Sequence, residues 1–133
     1  MHMKILGIDY GEKRIGLAIS DETQTFAREL EIVAPKEVMS KLQHLIEAEG
    51  IGTIVVGLPL NMDGQSTPKT EETKLFIETL KQRFSVPVEI FDERLSSKMA
   101  QTITGDNKNI DSLAAQIILQ NYLDKSKAQP IHE

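Results

Sequence analysis

The sequence predicts an α/β fold in which a mixed five-stranded sheet carries helices on both faces. Short apolar runs over residues 4–9, 14–20 and 26–33 come first, separated only by turns, and predict antiparallel strands. Two later apolar runs, over residues 54–56 and 86–91, alternate with helical patterns. Because a crossover helix forces the strands that it joins to be parallel, three antiparallel strands are followed by parallel ones.

Capping residues and apolar spacing predict the helices. Pro35 opens the first helix and Gly50 ends it. Ser66 or Thr67 caps the second helix, whose apolar stripe is formed by Leu75, Phe76, Thr79 and Leu80. A short helix over residues 96–105 and a last helix over residues 110–123 follow. We predict one domain over residues 1–124 and, because residues 125–133 lack apolar periodicity, a frayed tail.

The composition is that of a globular protein, and it excludes several kinds of chemistry. The chain has no cysteine, which rules out disulfides, a thiolate zinc site and a cysteine nucleophile, and which suits the cytoplasm. No apolar stretch is long enough to span a bilayer, and the N-terminus has no signal-peptide pattern, so no membrane partner is expected. The net charge of −5 predicts weak, transient binding if the substrate is a polyanion.

Acidic residues follow or begin three of the predicted elements. Asp9 ends the first strand, Asp92 and Glu93 follow the last strand, and Asp111 lies in the first turn of the final helix. Ligands of open α/β sheets bind outside the carboxyl ends of the parallel strands, where Asp9 and the Asp92–Glu93 pair belong. Clustered carboxylates repel one another unless divalent cations neutralise them, and their hard oxygen atoms suit Mg²⁺ or Mn²⁺. One or two such ions would support phosphodiester hydrolysis.

Each acid also has an ordinary structural interpretation. Asp9 could accept hydrogen bonds from turn amides, Asp111 could favour a helix N-terminus, and Asp92 or Glu93 could pair with Arg94 at the surface. The spacing of the residues does not distinguish Glu93 from Asp92 as the second acid.

Four motifs in order resemble the YqgF/RuvX family of pre-16S rRNA nucleases, also described as Holliday-junction-resolvase-like. The motifs are GIDYG with KRIGLA at residues 7–11 and 13–18, VVGLPLNMDG at 55–64, DERLS at 92–96, and IDSLAA with ILQ at 110–115 and 118–120. The opening motif alone also occurs in sugar kinases and actin-like ATPases, so the set of four is what makes the resemblance specific. It extends from about residue 4 to residue 123.

The resemblance implies an RNase H-like fold, a cytoplasmic hydrolase and a role in maturing the 5′ end of 16S rRNA. The acids of the family correspond to Asp9, Glu93 and Asp111, as catalytic residues and metal ligands, and this correspondence prefers Glu93 to Asp92. The expected partner is RNA, with branched DNA as the alternative, and the oligomeric state stays undetermined.

Several residues close to the acids are assigned to substrate binding. The family carries a long basic segment before its Ile-Asp motif, whereas residues 104–109 of this chain are short and include one base, Lys108. The remaining candidates are three bases near the acids and Asn61, which follows the strand that is expected to end beside Asp9. The three bases are Lys13, Arg14 and Arg94.

Two other classes of function stay open on the sequence alone. One is a nucleotide-binding phosphotransferase, which shares the opening motif but uses two such lobes, and which tight ATP binding would reveal. The other is a non-catalytic adaptor of the ribosome or of transcription, with a vestigial acidic site. Metal-stimulated cleavage that depends on Asp9 would reject the adaptor.

Overall fold

The computed structural model describes residues 3–92 and 110–128, and it describes the side chains of the last helix over residues 113–125. Five strands are present in these ranges: β1 (Lys4–Asp9), β2 (Ile15–Ser20), β3 (Ala27–Val33), β4 (Ile51–Leu58) and β5 (Val88–Asp92). The third apolar run is a strand, although its Ala-Arg-Glu-Leu-Glu portion alone is also compatible with a helix. The fourth strand extends beyond the predicted apolar run at both ends. The fifth strand begins just after Pro87. The carbonyl oxygen of Pro87 accepts a hydrogen bond from the amide of Ile54 at 2.9 Å.

The strands form one mixed sheet in the order β3-β2-β1-β4-β5. β1 pairs antiparallel with β2, which pairs antiparallel with β3, whereas β4 is parallel to both β1 and β5. The predicted sheet is therefore confirmed, with the first strand at its centre. Since β1, β4 and β5 are parallel, their carboxyl ends lie at one edge of the sheet.

Within the described ranges, three helices pack on the sheet: α1 (Pro35–Glu49), α2 (Pro68–Arg83) and α3 (Ile110–Ala128). Gly50 ends α1 in the left-handed conformation, with φ of 68°. Thr67 caps α2 through a capping box with Thr70. The predicted helix over residues 96–105 lies outside the described residues.

The predicted apolar stripe of α2 was wrong in part. Phe76 and Leu80 are buried, but Leu75 is 70% exposed and Thr79 is exposed as well. The buried face is completed by Ile77, Thr70 and Thr73, which the prediction did not include. The threonines can be buried because each hydroxyl donates to a backbone carbonyl, which removes the cost of burying an unpaired polar group.

The sheet separates two apolar layers. On one face, Leu6 and Ile8 of β1 pack with α1 and α2 in the larger cluster. On the other face, Ile5 of β1 packs with Ala115 and Leu119 of α3. The alternation of β1 side chains between the two layers is that of a central strand covered on both faces.

Helix α3 is attached to the edge strand β3 by two glutamines. The Gln116 amide donates to the carbonyl oxygen of Ala27 at 3.1 Å. The Gln120 side chain accepts from the amide of Ala27 at 2.8 Å and donates to the carbonyl oxygen of Thr25 at 2.9 Å. The helix continues to Ala128, so residues 125–128, which we expected to be part of the tail, are helical.

Asp21 organises the turn that joins β2 to β3. Its carboxylate accepts hydrogen bonds from the hydroxyl of Thr23 and from the amides of Phe26 and Thr25, the amides at 3.0 and 2.9 Å. These bonds, that of Thr23 first, lower the pKa of Asp21 from 3.8 to about 2.

The lowered pKa of Asp21 predicts a contribution to stability that acid removes. The contribution is complete above the unfolded-state pKa of 3.8 and is lost as the pH falls through the folded-state pKa of about 2. Asp21→Asn keeps an oxygen acceptor but cannot titrate. We therefore expect the free energy of unfolding, measured by urea denaturation across this pH range, to fall less steeply in Asp21→Asn than in the wild type. Parallel curves would show that Asp21 makes no such contribution.

Candidate active site

Asp9 is half-buried at the carboxyl end of the central strand, on the face that α3 covers. Ile5 belongs to the apolar layer under α3, and side chains of a strand alternate between faces, so Gly7 and Asp9 lie on that same face. The backbone of Asp9 pairs with Gly16 of β2, which makes it the last residue of β1 within the sheet. The acid is therefore positioned by the central strand of the sheet, which is paired on both sides.

Gly7 lets α3 approach β1 closely. A Cβ atom at Gly7 would lie 2.8 Å from the Cβ of Leu119 and 3.3 Å from the carbonyl oxygen of Ala115. The first of these distances is too short for any real Cβ, so a larger residue at this position would push the helix away from the strand. The contact sets the distance between α3 and β1 two residues before Asp9.

The direction of α3 takes its N-terminal turn towards Asp9. The helix contacts Ala27 through Gln116 and reaches back to Thr25 through Gln120, so it runs opposite to β3, and β3 has the direction of β1. Asp111 is one turn before Ala115, about 6 Å along the helix, and Asp9 is two residues, about 6.6 Å, beyond Gly7 along the strand. The backbone of Asp111 is thus brought to the end of the sheet where Asp9 lies.

Asp92 lies on the opposite face of the sheet from Asp9. Phe91 packs in the layer under α3, and the next residue of the strand, Asp92, points to the other face, beside its partner Leu58 of β4. Asp92 and Asp9 therefore lie at the same end of the sheet but on opposite faces, and β4 separates their strands. Glu93, like Arg94 and Lys108, lies outside the described residues.

Lys13 and Arg14 are both exposed in the turn between β1 and β2, at the same end of the sheet as Asp9. The turn is tight, because a Cβ at Gly11 would lie 2.5 Å from the carbonyl oxygen of Arg14. The preceding residue, Tyr10, stacks on Phe76 of α2 with ring centroids 4.5 Å apart. The two bases thus extend from a turn whose backbone is closely packed.

Asn61 has a structural role in the loop that follows β4. Its side-chain oxygen accepts hydrogen bonds from the amides of Asp63 at 3.0 Å and Gln65 at 2.8 Å, and its backbone bonds Gln65 and Gly64. This ring of bonds holds the loop that leaves the sheet beside β1. The local Asn-x-Asp-Gly pattern, typical of turns, is the sequence signal for this role.

Within the residues whose side chains are described, no three histidine or acidic side chains are grouped so as to hold a metal ion. Of the three predicted acids, only Asp9 has a described side chain. Its carboxylate is of the donor type that Mg²⁺ and Mn²⁺ prefer, and the backbone of Asp111 lies at the same end of the sheet, so the donor chemistry fits a hard divalent cation.

An open depression lies at the other end of the sheet, away from Asp9. Its lining carries charges of both signs, and its Lys4 is already bound to Glu49, with the Lys4 Nζ 2.9 Å from a carboxylate oxygen. The pairing with Lys4 is the main cause of the lowered pKa of Glu49. The depression therefore lacks the unbalanced charge of a metal site. Its lining residues are Lys4, Ser20, Asp21, Glu22, Thr23 and Arg28.

None of the helices in the described part of the chain is long and apolar enough to cross a membrane.

Solved structures that resemble the chain support the fold. The RuvC protein of Thermus thermophilus in complex with a Holliday junction substrate matches with a TM-score of 0.59 and 15% identity, over 95% of this chain and 97% of that one. A fowlpox virus resolvase bound to Holliday junction DNA matches with a TM-score of 0.52 and 15% identity, over 96% of this chain and all of that one. Both likenesses confirm the predicted fold class, that of the RuvC-like, RNase H-type proteins.

Proteins found by sequence similarity share a higher identity with this chain than these two solved structures do. A protein of Maridesulfovibrio salexigens named "Putative pre-16S rRNA nuclease" is 41% identical, over 93% of this chain and 100% of that protein. A protein of the same name from Thermoanaerobacter pseudethanolicus is 39% identical, over 94% of this chain and 99% of that protein. The family model RuvX, described as Holliday junction resolvase, matches residues 3–125. The chain therefore belongs to the RuvX family, as the four motifs indicated.

Proposed function

We propose that this protein is a divalent-metal-dependent nuclease that hydrolyses phosphodiester bonds in precursor 16S rRNA and so takes part in maturing its 5′ end. The class of reaction follows from membership of the RuvX family and from the relatives that carry a nuclease name. The observation that carries the proposed site is the packing of α3 on Gly7, which directs the N-terminal turn of the helix to Asp9.

Asp9, Glu93 and Asp111 are the proposed catalytic residues and the ligands of one or two Mg²⁺ or Mn²⁺ ions. Asp9 supplies a carboxylate from the end of the central strand, and Asp111 supplies one from the first turn of α3. The position of Asp92 on the opposite face of the sheet supports Glu93, rather than its neighbour, as the third ligand. A bound divalent cation supplies Lewis-acid stabilisation of the phosphate and lowers the pKa of the attacking water.

Basic residues near the acids are proposed to hold the phosphate backbone of the substrate. The chain has a net charge of −5, so phosphate has to be attracted by local bases and by the metal-filled site. Lys13 and Arg14 are exposed in the turn directly after Asp9, which supports their assignment to phosphate binding. Arg94 and Lys108 are proposed for the same role from their proximity to the acids in sequence. Asn61 is proposed to act indirectly, by holding the loop beside the site.

The alternative substrate is a four-way DNA junction, which the description of the matching family favours. A single experiment separates the candidates. The purified protein is incubated with Mn²⁺ or Mg²⁺ and with either a 16S rRNA precursor fragment containing its 5′ flank, a DNA four-way junction, or a linear DNA duplex. We expect metal-dependent cleavage of the RNA precursor, with the junction cut more slowly. Preferential cutting of the junction would replace the RNA assignment, and no cleavage of any substrate would favour the non-catalytic adaptor.

A further inference from the structure

Tyr10 joins the end of β1 to helix α2. Its ring stacks on that of Phe76 with a centroid distance of 4.5 Å and an interplanar angle of 28°. Phe76 is 7% exposed and belongs to the apolar layer under α1 and α2, against which Tyr10 packs. An aromatic pair of this kind stabilises the fold beyond the burial of its area, so it restrains the chain where it occurs.

Tyr10 follows Asp9 directly but faces the other side of the sheet. The Asp9 side chain is on the α3 face, whereas Tyr10 packs in the opposite layer. Neighbouring Cα atoms are held about 3.8 Å apart, so a displacement of the Tyr10 backbone can be passed directly to Asp9. The ring is therefore unable to touch a ligand bound by Asp9 on the α3 face, but it can determine where Asp9 lies.

The helix that holds Tyr10 is itself fixed to the sheet near the same end. The buried hydroxyl of Thr70 donates to the carbonyl oxygen of Pro59, the residue that follows β4. The amide of Thr67 donates to the same hydroxyl at 2.9 Å, which completes the cap of α2. β4 pairs with β1 up to the residue before Asp9. Helix α2 is therefore attached both to the end of β4, through Pro59, and to the end of β1, through Tyr10.

We infer that Tyr10 is a positioning residue for Asp9, and that its stack on Phe76 holds the Asp9 carboxylate in the geometry that binds the divalent cation. The inference rests on the proposed function, because it assigns Asp9 as a metal ligand. Beyond Asp9 the chain turns tightly at Gly11, and the stack attaches the start of this turn to helix α2. A small displacement of a ligand weakens metal binding and catalysis strongly.

The test measures Mn²⁺ affinity from the electron paramagnetic resonance signal of the free ion, together with kcat and KM for cleavage. Tyr10→Phe keeps the ring and is expected to behave as the wild type. Tyr10→Leu keeps apolar bulk but removes the stack, and we expect its Mn²⁺ affinity to fall about tenfold and its kcat by about 10- to 100-fold. Phe76→Leu should give the same losses, and the double variant should lose little more than either single one, because both remove one contact.

Ile51→Val is the matched control. Ile51 is 1% exposed and pairs with Lys4 at the opposite end of the sheet, so this change lowers stability without touching the Asp9 end. We expect its Mn²⁺ affinity to equal that of the wild type. Wild-type Mn²⁺ affinity in Tyr10→Leu or Phe76→Leu, while Asp9→Asn binds no Mn²⁺, would overturn the inference and leave the proposed function intact. An equal loss in Ile51→Val would also overturn it, and a wild type that neither binds Mn²⁺ nor cleaves would overturn both.

Discussion

Asp9→Asn is expected to reduce metal-dependent cleavage by on the order of a thousandfold, which corresponds to about 4 kcal/mol of lost transition-state stabilisation. Asparagine has nearly the same shape as aspartate but carries no charge, so it is a poor ligand for a hard divalent cation. Without metal, the variant should melt at the same temperature as the wild type or slightly above it, because the substitution relieves repulsion among the clustered carboxylates. Thermal melts in chelator and cleavage assays in Mn²⁺ measure the two effects.

Asp92→Asn is the matched control for this prediction. It removes the same charge two strands away at the same end of the sheet, but from a residue on the opposite face. We expect Asp92→Asn to retain cleavage and Glu93→Gln to lose it. Loss of activity in Asp92→Asn alone would make Asp92 the second acid. A marked fall in the melting temperature of Asp9→Asn would show instead that Asp9 is a structural residue of the turn.

Gly7→Ala is expected to lower both stability and activity, and the activity by more than the stability explains. The new methyl group would lie 2.8 Å from the Cβ of Leu119, so α3 has to move away from β1. Overpacking of this kind costs about 1–3 kcal/mol in the free energy of unfolding. Because α3 carries Asp111, the same movement separates it from Asp9, and a displacement of about 1 Å at a catalytic group costs on the order of a hundredfold in rate.

Leu42→Ala provides the comparison for Gly7→Ala. Leu42 is fully buried in α1, on the face of the sheet away from α3, and its truncation costs about 2–5 kcal/mol. Assayed well below its melting temperature, Leu42→Ala should cleave at the wild-type rate despite its greater loss of stability. Equal activity losses in the two variants would indicate that cleavage follows global stability rather than the spacing between β1 and α3.

The sequence was sufficient for the sheet and for the position of Asp9, because both depend on short-range patterns. Apolar runs that alternate with helical segments determine which strands are parallel, and Gly50 and Thr67 mark helix ends by local backbone chemistry. The motifs then indicated the family that the comparisons confirm.

The parts that the sequence did not reveal depend on contacts between distant residues. The close approach of α3 at Gly7 and the stacking of Tyr10 on Phe76 join residues far apart in the chain, and a single sequence does not display such pairs. By contrast, the local Asn-x-Asp-Gly pattern did indicate a turn at Asn61, and the structure adds which amides its side chain binds.

We propose that Asp9, Glu93 and Asp111 form one divalent-metal site at the carboxyl end of the central strand. This arrangement can be tested with crystals of the protein soaked in Mn²⁺, with diffraction recorded so that manganese gives an anomalous signal. We expect a manganese peak coordinated by the carboxylates of Asp9 and Asp111, on the α3 face of the sheet, with Glu93 completing the set. A manganese peak bound elsewhere, or an Asp111 carboxylate directed away from Asp9 in a structure with both residues ordered, would contradict it.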